Sequence, residues 1–140
     1  MQKPIIWTDN IEITYNLGKS NEFKALTNMT TDIVQNEYII LFGPSGCGKS
    51  TLLYSIFGVL KPSKGKVFVK GDSVYDMDPT EFIHYQRKTM GIMYQQFNLI
   101  SSITVLDNVA LPLIFAGISK TKREKKAKEL LERFGIAHVA

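Results

Sequence analysis

Apolar and polar positions alternate through "IEITYNLG" (11–18), the pattern of a strand with one buried face, and Gly18 is placed to end it. "YIILF" (38–42) is apolar without a break, as in a strand of a parallel sheet covered on both faces. Beyond a glycine-rich stretch at 43–48, Leu52, Leu53, Ile56 and Phe57 fall on one side of a helix that begins near Lys49 and stops at Gly58. "KPSKG" (61–65) reads as a turn and "KVFVK" (66–70) as a second alternating strand. A short helix is predicted over 79–88, with Asp78 as its cap and Pro79 in the first turn. "GIMY" (91–94) has the composition of a buried strand. A helix follows Thr104, which Pro112 is expected to bend or interrupt. The last helix has Ser119 as candidate cap, Ala127, Leu130, Leu131 and Phe134 at i, i+3, i+4 and i+7, and Gly135 just past its end.

Strands interleaved with helices over 140 residues predict one α/β domain, and the 44% apolar and 21% charged fractions are those of a globular chain. The net charge of +4 suits an anionic ligand or a membrane surface and does not call for nucleic acid. The cations of the last helix read as a solvated face, because Glu124 to Lys128 and Glu129 to Arg133 are spaced as i,i+4 pairs. One cysteine, Cys47, cannot close an internal disulfide, which favours a reducing compartment. "MQKPIIW" meets Pro4 and then polar residues before an apolar segment develops, so no signal peptide is expected. The longest apolar region, 103–118, is cut by Asp107, Asn108 and Pro112. Those features predict a soluble, cytoplasmic chain.

The stretch that carries chemistry is "LFGPSGCGKST" (41–51). Gly43 to Ser50 fits G-x-x-x-x-G-K-[ST] residue for residue. Glycines let the backbone curl closely around a phosphate through dihedrals that a Cβ obstructs. The amides of Gly46, Cys47, Gly48 and Lys49 are expected to form a nest of donors, reinforced by the N-terminus of the helix that follows. Lys49 would supply a point charge to the β- and γ-phosphates and Ser50 a hydroxyl ligand to Mg²⁺. Thr51 would add donors on the α-phosphate side. Ser45 completes the loop, and Cys47 stands at a variable position as a small spacer. The context fits the mechanism, with a buried strand before the loop and a helix after it.

"GPSGCGKSTLL" followed by "GIMYQQFNLISSITVLDNVALPL" resembles the ATPase subunits of ATP-binding-cassette (ABC) transporters. The branch most similar holds macrolide and antimicrobial-peptide exporters, lipoprotein-release ATPases and the cell-division ATPase. The likeness runs from about Ile11 to the last residue. It implies a P-loop NTPase (RecA-like) core with an antiparallel β subdomain, incomplete, over 1–96. The glutamine loop and the start of a helical subdomain would then occupy 97–140. It implies ATP and Mg²⁺ as cofactors, a second ATPase subunit as dimer partner, and a membrane permease that holds the protein at the inner face of the cell membrane. Gln95 matches the glutamine that reaches Mg²⁺ and the γ-phosphate side and relays nucleotide state, which together with Lys49 makes it a catalytic candidate. Tyr15, 28 residues before Gly43, matches the aromatic that stacks on adenine. Phe97, Leu99 and Ile100 would face the membrane subunit or pack within the subdomain. Asn36-Glu37 stands where the family usually has Gly-Glu, and asparagine tolerates the left-handed backbone such a turn needs.

The family's signature sequence, its Asp-Glu pair and its switch histidine have no counterpart in these 140 residues. "ITVLD" (103–107) mimics an apolar run ending in aspartate, but Asn108 follows it. His84 and His138 fall before the switch position and read as surface residues. Hydrolysis needs a water-orienting group, a further Mg²⁺ anchor and a charge clamp, so nucleotide binding with little or no turnover is expected of this chain alone. A non-hydrolytic nucleotide-binding or interaction fragment is the alternative. A GTPase is disfavoured because no N-K-x-D guanine-reading motif occurs. A kinase is disfavoured because nothing beyond the loop supplies an acceptor site.

Overall fold

The computed structural model describes residues 3–96 and 98–139. They divide between Ile92 and Met93 into two compact units. In the first, β1 (Ile6–Tyr15), β2 (Phe23–Ile33), β3 (Lys64–Val69) and β4 (Asp72–Ser73) form an antiparallel sheet in the order β2-β1-β3-β4. β1 begins five residues before the alternating stretch at 11–18. Ile6 lies opposite both Ile33 and Val69, and Trp7 stacks on Phe68 with ring centroids 4.3 Å apart. It ends at Tyr15 because Asn16 turns into the left-handed region at φ 54°. β2 has too many polar residues to stand out in the hydropathy pattern, and β1 templates it. Buried Thr8 ties the two strands together, its hydroxyl donating to Met29 O at 3.1 Å and accepting from Thr31 N at 3.0 Å.

The core of this unit joins Ile11, Val67 and Val69 of the sheet to Leu52 and Ile56 of α1 (Lys49–Phe57), with Val74 and Tyr85. The buried side of α1 is Thr51, Leu52, Ser55 and Ile56, while Leu53 is exposed. The expected stripe of Leu52, Leu53, Ile56 and Phe57 is therefore corrected by part of a turn. Thr51 can enter the interior because its hydroxyl finds a partner there. Gly58 closes α1 in the left-handed conformation, φ 89°.

α2 (Pro79–His84) starts in a full capping box: Asp78 Oδ1 accepts from Thr80 N at 2.7 Å and Glu81 N at 2.9 Å, and Glu81 Oε2 accepts from Asp78 N at 3.0 Å. The chain then widens into one π-turn, Tyr85–Thr89, so the segment expected to be a single helix over 79–88 has two geometries. Two tyrosine hydroxyls close the far end of α1. Tyr75 Oη lies 2.8 Å from Ser55 O and 2.6 Å from Leu60 O and shares its one proton between them, and Tyr85 donates to Ile56 O. On the surface, the hydrogen bond from the Lys66 ammonium, with one from Ser73, holds the Asp76 carboxyl below its usual range.

Two expected strands do not form. Residues 38–42 and 91–94 make no ladder, and Phe42 and Met93 are 98% and 97% exposed. An apolar run records which faces a strand would bury, but a ladder needs a hydrogen-bonded partner strand, and among the described residues neither stretch has one.

The second unit packs α3 (Val105–Phe115) against α4 (Lys120–Arg133), followed by a short 3₁₀ turn at Ala137–Val139. Thr104 Oγ1 caps α3 by accepting from Asp107 N at 3.0 Å. α3 continues through Pro112 without interruption. The proline removes one amide, and Ala116 N still bonds Pro112 O at 3.1 Å. On α4, Ala127 and Leu131 are buried while Leu130 and Phe134 are exposed, a narrower stripe than the spacing suggested. Glu124 pairs with Lys120 at 3.7 Å rather than with Lys128. No helix among the described residues is long and apolar enough to cross a membrane.

Candidate functional site

The glycine loop bends where the motif requires it. Gly46 and Gly48 sit at φ 82° and 95°, and Gly48 is the N-cap of α1. Gly48 has no side chain with which to cap the helix, and α1 has no acidic residue in its first turn. The first helical amide to find a backbone partner is Leu52 N, which bonds Gly48 O at 2.9 Å. The amides of Gly46, Gly48 and Lys49 make no backbone hydrogen bond among the described residues, whereas Cys47 N makes a long one of 3.4 Å to Pro44 O. Of the four amides expected in the nest, three are therefore free to donate and one is partly engaged in the loop's own turn.

Lys49 closes the loop on itself. Its Nζ donates to Gly43 O at 2.9 Å and Pro44 O at 2.7 Å, with Cys47 Sγ 3.6 Å away. Two carbonyls and the thiol take up all three ammonium protons, and the long contact to sulfur is the one an incoming oxyanion would displace most easily. The exposed Cys47 thiol contacts Gly43 so closely that a Cβ there would stand 2.8 Å from Sγ. Ser50 presents an exposed hydroxyl at the head of α1, and Ser45 is an exposed member of the turn. Thr51 is buried, its Oγ1 3.2 Å from the hydroxyl of Tyr15, which the end of β1 delivers to this helix.

Sequence reasoning missed the floor of the site. A Cβ on Gly48 would lie 2.6 Å from Leu26 Cδ2 and 2.9 Å from Ala25 O, so β2 supports the loop from beneath and sets how deep the backbone can sit. Nothing in the polar composition of β2 advertises that role. An added methyl at Gly48 would meet β2 and lift the loop from its support. The loop fits a phosphate group with a hydroxyl-bound cation beside it. No cluster of three or more His, Cys, Asp or Glu side chains able to hold a metal occurs among the described residues. A separate cavity of about 770 Å³ lies between the β3–β4 hairpin and α2, lined by Phe68, Lys70, Met77, His84 and Lys88 among others, and includes no loop residue.

Gln95 and Gln96 are both exposed and belong to the second unit. Phe97 lies outside the described residues; Leu99 and Ile100 expose their side chains to solvent. Asn36 takes φ 68°, the left-handed geometry its position calls for, and His84 and His138 are surface residues.

The family model for ABC transporters matches residues 26–140. An ABC transporter ATP-binding protein of Thermotoga maritima is 38% identical over 122 residues, covering 87% of this chain and 52% of that protein. A second, MJ1508 of Methanocaldococcus jannaschii, is 39% identical over 132 residues, covering 94% and 58%. Among solved structures, the dimeric ATP-binding cassette MJ0796 in a post-hydrolysis state bound to ADP and Pi is similar. Its TM-score is 0.81 at 38% identity, over 91% of this chain and 56% of that one. The chain thus spans about half the length of the curated relatives it matches.

Proposed function

The chain belongs to the ABC transporter family and has the fold of an incomplete P-loop NTPase core; on that premise we propose that it is the nucleotide-binding portion of an ATPase subunit that powers export through a separate membrane permease. The observation that carries the reading is the loop from Gly43 to Thr51, with three unbonded amides and the Lys49 ammonium on one concave backbone.

Each residue has a definite task in this reading. The Gly46, Gly48 and Lys49 amides donate to phosphate oxygens, and α1 adds the positive end of its dipole. Lys49, steadied by the Gly43 and Pro44 carbonyls, turns the proton now on Cys47 Sγ to the β- and γ-phosphates. Ser50 offers its hydroxyl to Mg²⁺, and the metal supplies charge neutralisation across the phosphates. The Tyr15 ring is the candidate platform for the base, and Gln95 the candidate sensor of Mg²⁺ and the γ-phosphate. Ser45 and Cys47 line the turn, and Thr51 anchors Tyr15. A second copy of the subunit and the permease are the partners this role implies, at the inner face of the cell membrane. The 140 residues contain no Asp-Glu pair to orient water, so binding with little turnover is the behaviour proposed for this chain by itself.

Calorimetric titration of ATP with Mg²⁺ into the chain tests the proposal. Saturable binding is expected, weakened at least tenfold by Lys49→Ala. No binding to folded, soluble chain, or equal binding by the Lys49→Ala variant, would overturn it.

A further inference from the structure

We infer that Tyr85 is a positioning residue that ties the helix behind the phosphate loop to the segment leading into Gln95. The inference rests on the nucleotide-binding role proposed above and concerns what happens at the opposite end of the same helix.

α1 is nine residues long, with the phosphate loop at its head. At its tail, the Ile56 carbonyl accepts the hydroxyl of Tyr85. Tyr85 is 4% exposed and belongs to the same core cluster as Leu52 and Ile56, so its ring has little room to swing independently of α1. Phe82 flanks it, with ring centroids 6.1 Å apart. A movement of α1 along its axis therefore reaches Tyr85 directly.

Tyr85 is also the first residue of the π-turn Tyr85–Thr89, which closes when Met90 N bonds Tyr85 O at 3.3 Å. A π-turn is the less favourable neighbour of an α-turn, held in place by what packs around it. Converting one into the other moves the hydrogen-bond partner by one residue and changes the path of the backbone at Met90 and Gly91. Coupling between sites needs an element with two discrete arrangements that both sites bias, and this turn is the element we assign to that role. From Met90 the chain runs through Gly91 to Tyr94 and directly into Gln95. In this inference a phosphate bound at the head of α1 acts on a hydrogen bond at its tail, and that bond is made by the first residue of the π-turn.

Tyr75 supplies the internal control. Its hydroxyl holds the same end of α1, through Ser55 O and Leu60 O, but it comes from the loop before α2 and not from the π-turn. Removing either hydroxyl loosens the tail of the helix; removing that of Tyr85 alone cuts the connection to the turn.

Amide hydrogen exchange of the whole chain, with and without ATP and Mg²⁺, tests the inference on wild type, Tyr85→Phe and Tyr75→Phe. The expected result has three parts. Nucleotide changes exchange at residues 85–91 at least threefold in wild type and in Tyr75→Phe. Tyr85→Phe binds nucleotide within about threefold of wild type. Its 85–91 segment no longer responds. The inference is overturned if Tyr85→Phe responds like wild type, if both variants lose the response equally, or if wild type binds nucleotide without any change in that segment. Absence of binding by wild type would instead overturn the nucleotide-binding reading, and this inference with it. Should Tyr85→Phe fail to fold, the ¹³Cζ resonance of Tyr85 in the unsubstituted chain decides. It must move on nucleotide addition more than that of Tyr75, and if it does not the inference fails.

Discussion

The hydroxyl of Tyr15 lies 3.2 Å from Thr51 Oγ1, joining the last residue of β1 to the first turn of α1. The contact fixes the ring beside the phosphate loop while leaving it 38% exposed. Ring and hydroxyl therefore have separable roles, one offered to a ligand and one spent on anchorage.

The two parts come apart by substitution. Tyr15→Phe keeps the aromatic face and should change ATP affinity no more than about threefold. Tyr15→Ala removes a stacking surface worth about 1–3 kcal/mol and should weaken binding roughly tenfold or more. Calorimetry on both variants checks this, and equal losses would mean that the ring is not the base platform. Because stacking tolerates any base, GTP should lose as much as ATP in Tyr15→Ala.

Gly48 and Gly46 both adopt positive φ, yet they should respond differently to alanine. At Gly46 nothing lies within 4 Å of the added methyl, so the cost is the left-handed backbone alone, about 1 kcal/mol. At Gly48 the methyl meets Leu26 Cδ2 and Ala25 O as well. Gly48→Ala should therefore lift the loop off β2, cost about 2 kcal/mol or more in thermal unfolding, and weaken ATP binding at least tenfold more than Gly46→Ala.

That contrast shows what the sequence makes legible. The loop can be read because phosphate chemistry dictates residue types at fixed spacing, from Gly43 to Thr51. Caps can be read for the same reason: Asp78 and Thr104 satisfy amides two or three residues away, a local constraint. β2 could not be read, because its pairing with β1 and its support of Gly48 are decided by residues distant in sequence. Residues 38–42 and 91–94 failed the other way. Their composition describes a strand, but pairing requires a neighbour that composition cannot supply. The stripe on α4 was over-read because Leu130 and Phe134 share a helical side with Leu131 without being covered.

Alkaline pH should weaken the fold through Tyr75. Burial pushes its phenol up to about 12, against an ordinary value of about 10. The unfolded chain then gives up its proton first, so this contribution to stability is complete below about pH 10 and declines as pH rises towards 12. Burial shifts Tyr85 in the same direction. Thermal unfolding followed from pH 9 to 12 should show the decline. Tyr75→Phe should start about 1 kcal/mol less stable at neutral pH, having lost its hydrogen bonds, and fall less steeply. An unchanged slope would assign the decline to other groups.

Asn108 holds the loop that follows Gln95. Its Oδ1 accepts from Ile100 N at 2.8 Å, and its Nδ2 lies 3.0 Å from both Ile100 O and Thr104 O, with Ile103 O at 3.4 Å. Ile100 is thereby bound through both its amide and its carbonyl to the first turn of α3. Asn108→Ala should free that segment and cost about 1–2 kcal/mol. Asn108→Asp distinguishes lost bonds from lost shape, since it keeps the acceptor for Ile100 N but places a carboxylate oxygen against three carbonyls. It should be at least as destabilising as alanine and should regain stability as pH falls and the carboxyl takes up a proton. Exchange of the Ile100 amide reports the effect directly. It should speed up at least tenfold in Asn108→Ala, and an unchanged rate would show that packing rather than Asn108 holds the loop.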